Sequence, residues 1–284
     1  MLPITTLASP PAFDAISSYK LLTTQCDFGP RNPGSSGHQK CLEWMISYLK
    51  GLGLEPISQR FEVVDPRSGV KLQLTNVIVP IGAGNEQPLM LCAHWDTRSV
   101  ADRDPDPAKR GMPIIGANDG ASGVAVLLEM ARVLTTNPPP RPVLLAFWDG
   151  EDIGRESHPE EYAAGSRYWA RHQIPETPAE AILLDMVGDA DLQIPIEWFS
   201  DHHARGLRSE LWHWAELVDA PAFVDAPGPA VEDDHVPLIK VGIPAVDLID
   251  FDYPYWHTSY DTADKCSAES LGQVGRVLIA YIYR

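Results

Sequence analysis

The chain of 284 residues carries 22 Lys and Arg against 39 Asp and Glu, a formal net charge of −17. That balance argues against nucleic acid or an anionic membrane as the main partner and favours cationic substrates, such as peptides with a free amino terminus. Hydrophobic residues at 44% and charged residues at 21% are ordinary for a globular enzyme with ample core material, and no stretch approaches the about 18 consecutive apolar residues of a membrane span.

The opening segment, MLPITTLASPPAF, lacks a basic region followed by an apolar one, so no signal peptide is expected in the chain as given. Next, HQKCLEWMISYLKGLG places Leu42, Met45, Ile46 and Leu49 on one helical face, with Gly51 as a stop. TNVIVP (75–80) and PLMLCAH (88–94) read as strands. DGASGVAVLLEMARVL carries Val124, Leu127, Leu128 and Ala131 at helical spacing. The runs at 142–148, 180–187 and 242–250 read as further strands, apolar enough to be buried on both faces. The proline clusters at 137–142 and 225–230 read as loops, and a last helix is expected over SAESLGQVGRVLIAYI with Ser267 and Ser270 as candidate caps. Alternating strands and helices without repeats or linkers predict a single α/β domain over 1–284, three-layered α/β/α, with a central mixed, mostly parallel sheet. The four cysteines, Cys26, Cys41, Cys92 and Cys266, form no CxxC and say little about redox compartment.

One stretch poses a physical problem. PVLLAFWDGEDIG (142–154) follows an apolar strand with Asp149, Glu151 and Asp152 inside four positions. Carboxylates so close repel one another, and none is buried cheaply without a partner. In open α/β sheets ligands bind beyond the carboxyl ends of the strands, and the other strands end in similar residues. One leads to His94 and Asp96, one contains Asp185, and the last leads to His257. Asp119 stands before a helix among small residues that allow close backbone approach.

Singly, each has a plain reading: His94 and Asp96 as a structural hydrogen-bonded pair, Asp119 as a helix cap, Asp185 held by backbone donors, His257 as a half-buried imidazole. Together they form the mixed N/O donor set that zinc accepts, and a metal is the missing positive charge. Glu151 and Asp152 then divide the work, one holding metal and the other facing substrate as acid and base. Asp96, two residues from His94, suits the orienting of an imidazole. DRDPDP (102–107) is a solvated turn or, less simply, a calcium loop.

AHWDT, GANDGASGVAVLLEMAR, WDGED, LLDMVGD and YWHTSYDT resemble the zinc-dependent exopeptidases of the M28 type, over nearly the whole chain. Within that superfamily, DRDPDPAKRGMPIIGANDGASG, AAGSRYWA, VEDDHVPLIKVGIPAV and YPYWHT are similar to the glutaminyl-peptide cyclotransferases, especially their bacterial branch. The resemblance implies one zinc ion per chain on Asp119, Asp152 and His257, Glu151 as general acid/base, Asp185 and Asp233 as substrate-orienting carboxylates, and Trp256 against the glutaminyl side chain. The implied reaction converts the N-terminal glutamine of a peptide or protein to pyroglutamate with release of ammonia. A monomer is expected, periplasmic or secreted if a leader has been trimmed. The chain departs from the animal cyclases in three ways: it has Asp152 where they have Glu, no Trp in EDIGRESHPEEY, and Ala93 and Val124 where their disulfide would fall. His94 and Asp185 complete the ligand set of a two-zinc aminopeptidase, the alternative reading. There a bridging water is the nucleophile and Glu151 its base.

Overall fold

The computed structural model describes residues 10–284, so the first nine of the thirteen residues read for a signal peptide lie outside the described residues. Two helices come first, α1 (Ala15–Asp27), capped by Asp14, and α2 (Ser36–Gly51), capped by Ser35. The strands β1 (Ile57–Val64) and β2 (Lys71–Ile81) form an antiparallel hairpin. Then follow β3 (Leu89–His94), α3 (Ala121–Thr136), β4 (Val143–Trp148), α4 (Ala164–Arg171) and β5 (Glu180–Asp185). A small parallel pair, β6 (Ile194–Ile196) and β7 (Phe223–Pro227), brackets α5 (Trp198–His203) and α6 (Arg205–Leu217). The chain closes with α7 (His235–Lys240), β8 (Ala245–Ile249) and α8 (Ala268–Ile282), whose cap is Ser267.

The main sheet has six strands in the order β1-β2-β4-β3-β5-β8. The four from β4 to β8 are mutually parallel, and β2 runs against β4. The sheet is therefore mixed and mostly parallel, as the alternation of elements predicts.

Strand alternation sorts the core into two layers. Val79, Leu91, Ala93, Leu145, Phe147, Ile182, Leu184, Val246 and Leu248 face α3 and the helices around it. Ile78, Met90, Cys92, Leu144, Ala146, Trp148, Ala181, Leu183 and Ala245 face the other way, against Trp169 of α4 and Leu238 of α7. Each central strand is buried on both faces, which is why it reads as an unbroken apolar run.

Several boundaries differ from the sequence reading. Gly51 is the last residue of α2, and the left-handed turn falls to Gly53 at φ +81°. The run at 180–187 ends its strand at Asp185, and Met186 turns away at φ +47°. The second proline cluster is partly strand, since β7 reaches Pro227. β1 and the first half of β2 escape a search for apolar runs because they alternate polar and apolar residues.

Candidate active site

Four parallel strands deliver their ends to one place. His94 closes β3, Asp185 closes β5, the 149–152 turn follows β4, and the segment after β8 returns His257. Asp119 arrives from the loop before α3. It is not the helix cap, a position held by Gly120 without a side-chain hydrogen bond. Gly120 sits at φ +103°, and a Cβ there would lie 2.6 Å from the Asp96 carbonyl oxygen and 3.2 Å from the His94 ring. Only glycine lets this loop close onto β3. Buried Arg31 ties the loop down by donating to the carbonyls of Trp95, Ile115 and Gly116.

Two groups of potential metal ligands result, sharing Asp119. In one, His257 Nε2 lies 3.6 Å from Asp119 and 3.4 Å from Asp152. In the other, His94 Nε2 lies 3.3 Å from Asp119 and 3.1 Å from Asp185. All five are buried, yet one oxygen each of Asp119 and Asp152 lacks any hydrogen-bond partner. Orphaned carboxylate oxygens beside an imidazole, in an N/O set within ligand reach, fit a bound divalent cation.

The residues around the ligands place them. The Asp96 carboxylate accepts the backbone N–H groups of Glu151 (3.0 Å) and Asp152 (3.2 Å), so it shapes the carboxylate turn as well as standing 3.7 Å from His94 Nδ1. Asp261 accepts from the backbone of Asn118 and Asp119 and from the Tyr253 hydroxyl. DRDPDP is a largely exposed turn, as expected, but two of its acids face inward to the site. Asp102 pairs with Arg98 and stands 3.6 Å from His257 Nδ1, while buried Asp104 accepts from the backbone N–H of Ser259. Asp104 thus pins the loop that carries His257.

The clustered carboxylates are partnered separately. Asp149 points away from the metal groups and meets His38 at 2.8 Å and the Thr75 N–H at 2.6 Å. Asp152 meets the guanidinium of Arg98 at 2.7 Å. Burial works against ionisation of Asp152, but His257 and Arg98 outweigh it and hold its carboxyl well below the usual range. Glu151 accepts no side-chain donor among the described residues. Burial, reinforced by the Asp233 carboxylate, pushes its carboxyl well above the ordinary value. Asp233 is likewise pushed up by burial and by Asp185. The roles of His38, Arg98 and Asp261 are not legible in the sequence, because the site groups they meet, Asp149, Asp152 and the Asn118–Asp119 backbone, lie 54 to 143 positions away.

Glu151, Asp119, Asp185, Asp233, Trp256 and His257 line one cavity of about 350 Å³. Trp256 stacks on His257 with ring centroids 3.9 Å apart, forming one wall. Pro159 and Tyr162 line the same cavity, from the segment that carries no tryptophan. Met186 and His257, at φ +47° and +56°, hold strained backbone at the cavity edge. Behind Asp233 the buried acids continue, with His235 between Glu197 (3.4 Å) and Asp247 (3.6 Å).

Residues 76–282 match Peptidase family M28. A glutaminyl cyclase of Bacteroides thetaiotaomicron, solved with N-acetylhistamine bound, is 33% identical; the match covers 97% of this chain and 99% of that one, at a TM-score of 0.93. The glutaminyl cyclase of Porphyromonas gingivalis is 35% identical over 95% of this chain and 97% of its own, with a TM-score of 0.91. The glutaminyl-peptide cyclotransferase-like protein of Mus musculus is 28% identical over 89% of this chain and 71% of its own length. With its strand-end ligand groups and a sequence match across most of its length, the chain belongs to peptidase family M28 and, within it, to the glutaminyl cyclases.

Proposed function

We propose that the protein is a zinc-dependent glutaminyl-peptide cyclotransferase acting on peptides and proteins that begin with glutamine. The observation that carries this reading is Glu151, a buried carboxyl without a side-chain donor among the described residues, lining one cavity with Asp185, Asp233 and Trp256. Asp119, Asp152 and His257 would hold one zinc ion per chain, which when bound supplies Lewis-acid polarisation of the substrate's γ-carboxamide.

The remaining work falls to the chain's own groups. Trp256 packs against the glutaminyl side chain, and Asp185 and Asp233 hold the α-amine. That amine attacks the γ-carboxamide carbon, closing a five-membered lactam as the bond to the side-chain nitrogen breaks and ammonia leaves. Glu151 takes the proton the amine loses and passes it to the departing nitrogen. Its raised proton affinity suits both halves of the transfer. Because attack is intramolecular, orientation by the cavity walls supplies a large share of the acceleration, up to about 7–11 kcal/mol for well-placed groups.

The second ligand group favours a competing reading, a two-zinc aminopeptidase with the further ion on His94, Asp119 and Asp185. Similarity to glutaminyl cyclases across nearly the full chain weighs for the first. Mass spectrometry of products from one peptide beginning with glutamine and one with leucine separates them. Loss of one ammonia from the glutamine peptide, with the leucine peptide intact, is expected. Free N-terminal amino acid would establish the aminopeptidase and predict two zinc ions per chain.

A further inference from the structure

The cavity mouth carries three charged side chains beyond the reacting residues, Arg103, Glu156 and Glu232, together with the His158 imidazole. All but Glu232 have a partner. The Arg103 guanidinium lies 4.7 Å above the Trp256 ring and binds Glu156 at 2.7 Å, and His158 stands 3.2 Å from Glu160. Glu232 has no ion-pair or side-chain hydrogen-bond partner among the described residues. It is exposed, and it directly precedes Asp233 on the cavity wall.

We infer that Glu232 selects the residue that follows the N-terminal glutamine, favouring a basic side chain there and disfavouring an acidic one; this rests on the cyclotransferase reading. Lactam closure uses only the first residue's amine, α-carbon and side chain. The second residue must therefore lie just outside, with its Cα about 3.8 Å from the reacting residue's Cα. That places it at the mouth, where pairing of the other charges leaves one carboxylate to be felt. Attraction of one peptide and repulsion of the other, at the strength of exposed charge pairs, gives about a three- to tenfold difference in kcat/KM.

The test compares ammonia release from peptides beginning Gln-Lys, Gln-Gln and Gln-Glu at low salt. The expected order is Lys, then Gln, then Glu, with the spread shrinking at about 0.5 M salt as the Debye length falls to a few ångströms. Glu232→Gln should bring the Lys/Glu ratio towards one. Glu156→Gln, which frees Arg103, should lower the ratio, and Arg103→Gln, which frees Glu156, should raise it. Glu55→Gln is the control: it makes the same change in net charge at an exposed position outside the cavity lining. Equal loss of preference in Glu55→Gln and Glu232→Gln would assign the effect to the whole chain's charge and overturn the inference. Equal cyclisation of all three peptides by the unmodified protein would overturn it too, leaving the cyclotransferase reading intact. If none of the three loses ammonia, that reading falls, and the inference with it.

Discussion

Glu151 and Asp152 are neighbours in one turn with opposite electrostatics. Asp152 faces His257 and Arg98 and stays ionised, whereas Glu151 faces other carboxylates and holds its proton more tightly. The contrast fits the proposed division between a metal ligand and a proton carrier, a division the adjacent pair suggests but cannot apportion without knowing what each side chain meets. Glu151→Gln keeps the size and burial of the side chain while removing its basicity. It should lower kcat by about 10²–10⁴-fold, the usual worth of a positioned acid/base, while metal content and melting temperature stay unchanged. Retained full activity would remove Glu151 from the mechanism.

At the scale of the element, α3 places Asp119, and its approach to the sheet is set by glycine. A Cβ on Gly123 would press into the Leu184 carbonyl of β5 and come within 2.9 Å of the Ala93 side chain of β3. Gly123→Ala should therefore lift the start of α3, costing about 1–3 kcal/mol as an overpacked contact, measurable by urea denaturation. The same displacement moves Asp119, so zinc affinity should fall together with stability. Loss of stability at unchanged affinity would show that the ligand loop is held independently, by Arg31 and Asp261. The three glycines of GANDGASG are visible in the sequence as small residues near an acid. That Gly123 meets a carbonyl of a strand some sixty residues later is not.

For the molecule as a whole, the site is a concentration of negative charge already buried in the described structure. Asp119, Asp152, Asp185, Glu151 and Asp233 all lie below a tenth of full exposure, four of them lining one cavity and Asp152 standing 3.4 Å from His257 of the same lining. A cation that binds only the folded chain stabilises it by about 4 kcal/mol at a thousandfold excess over its dissociation constant. For a domain of this size that corresponds to about 10 °C in melting temperature. Treatment with a strong chelator should lower the melting temperature by that order, and restoring zinc should recover it. A temperature indifferent to chelation would argue that protonation alone neutralises the cluster.

The apolar runs and their flanking residues settled the central parallel strands, the glycine-rich approach to α3, a last-helix cap at Ser267 or Ser270 and the inward-facing helix residues, because burial on both faces leaves a strong local signature. The metal-binding types stood out for a related reason: an acid or imidazole at the end of a core strand has few structural uses. The edge strand β1 with the first half of β2, the helices α4 to α7 and the partners of the carboxylates depended on contacts across the folded chain. Asp149 illustrates the difference, since nothing near it in sequence distinguishes it from Glu151 and Asp152. Only packing of α2 against the sheet brings His38 to it, 111 positions away, and turns it from the two groups of potential metal ligands. Residue types and their periodicity are local properties, whereas the assignment of a charge to its partner is a property of three-dimensional proximity.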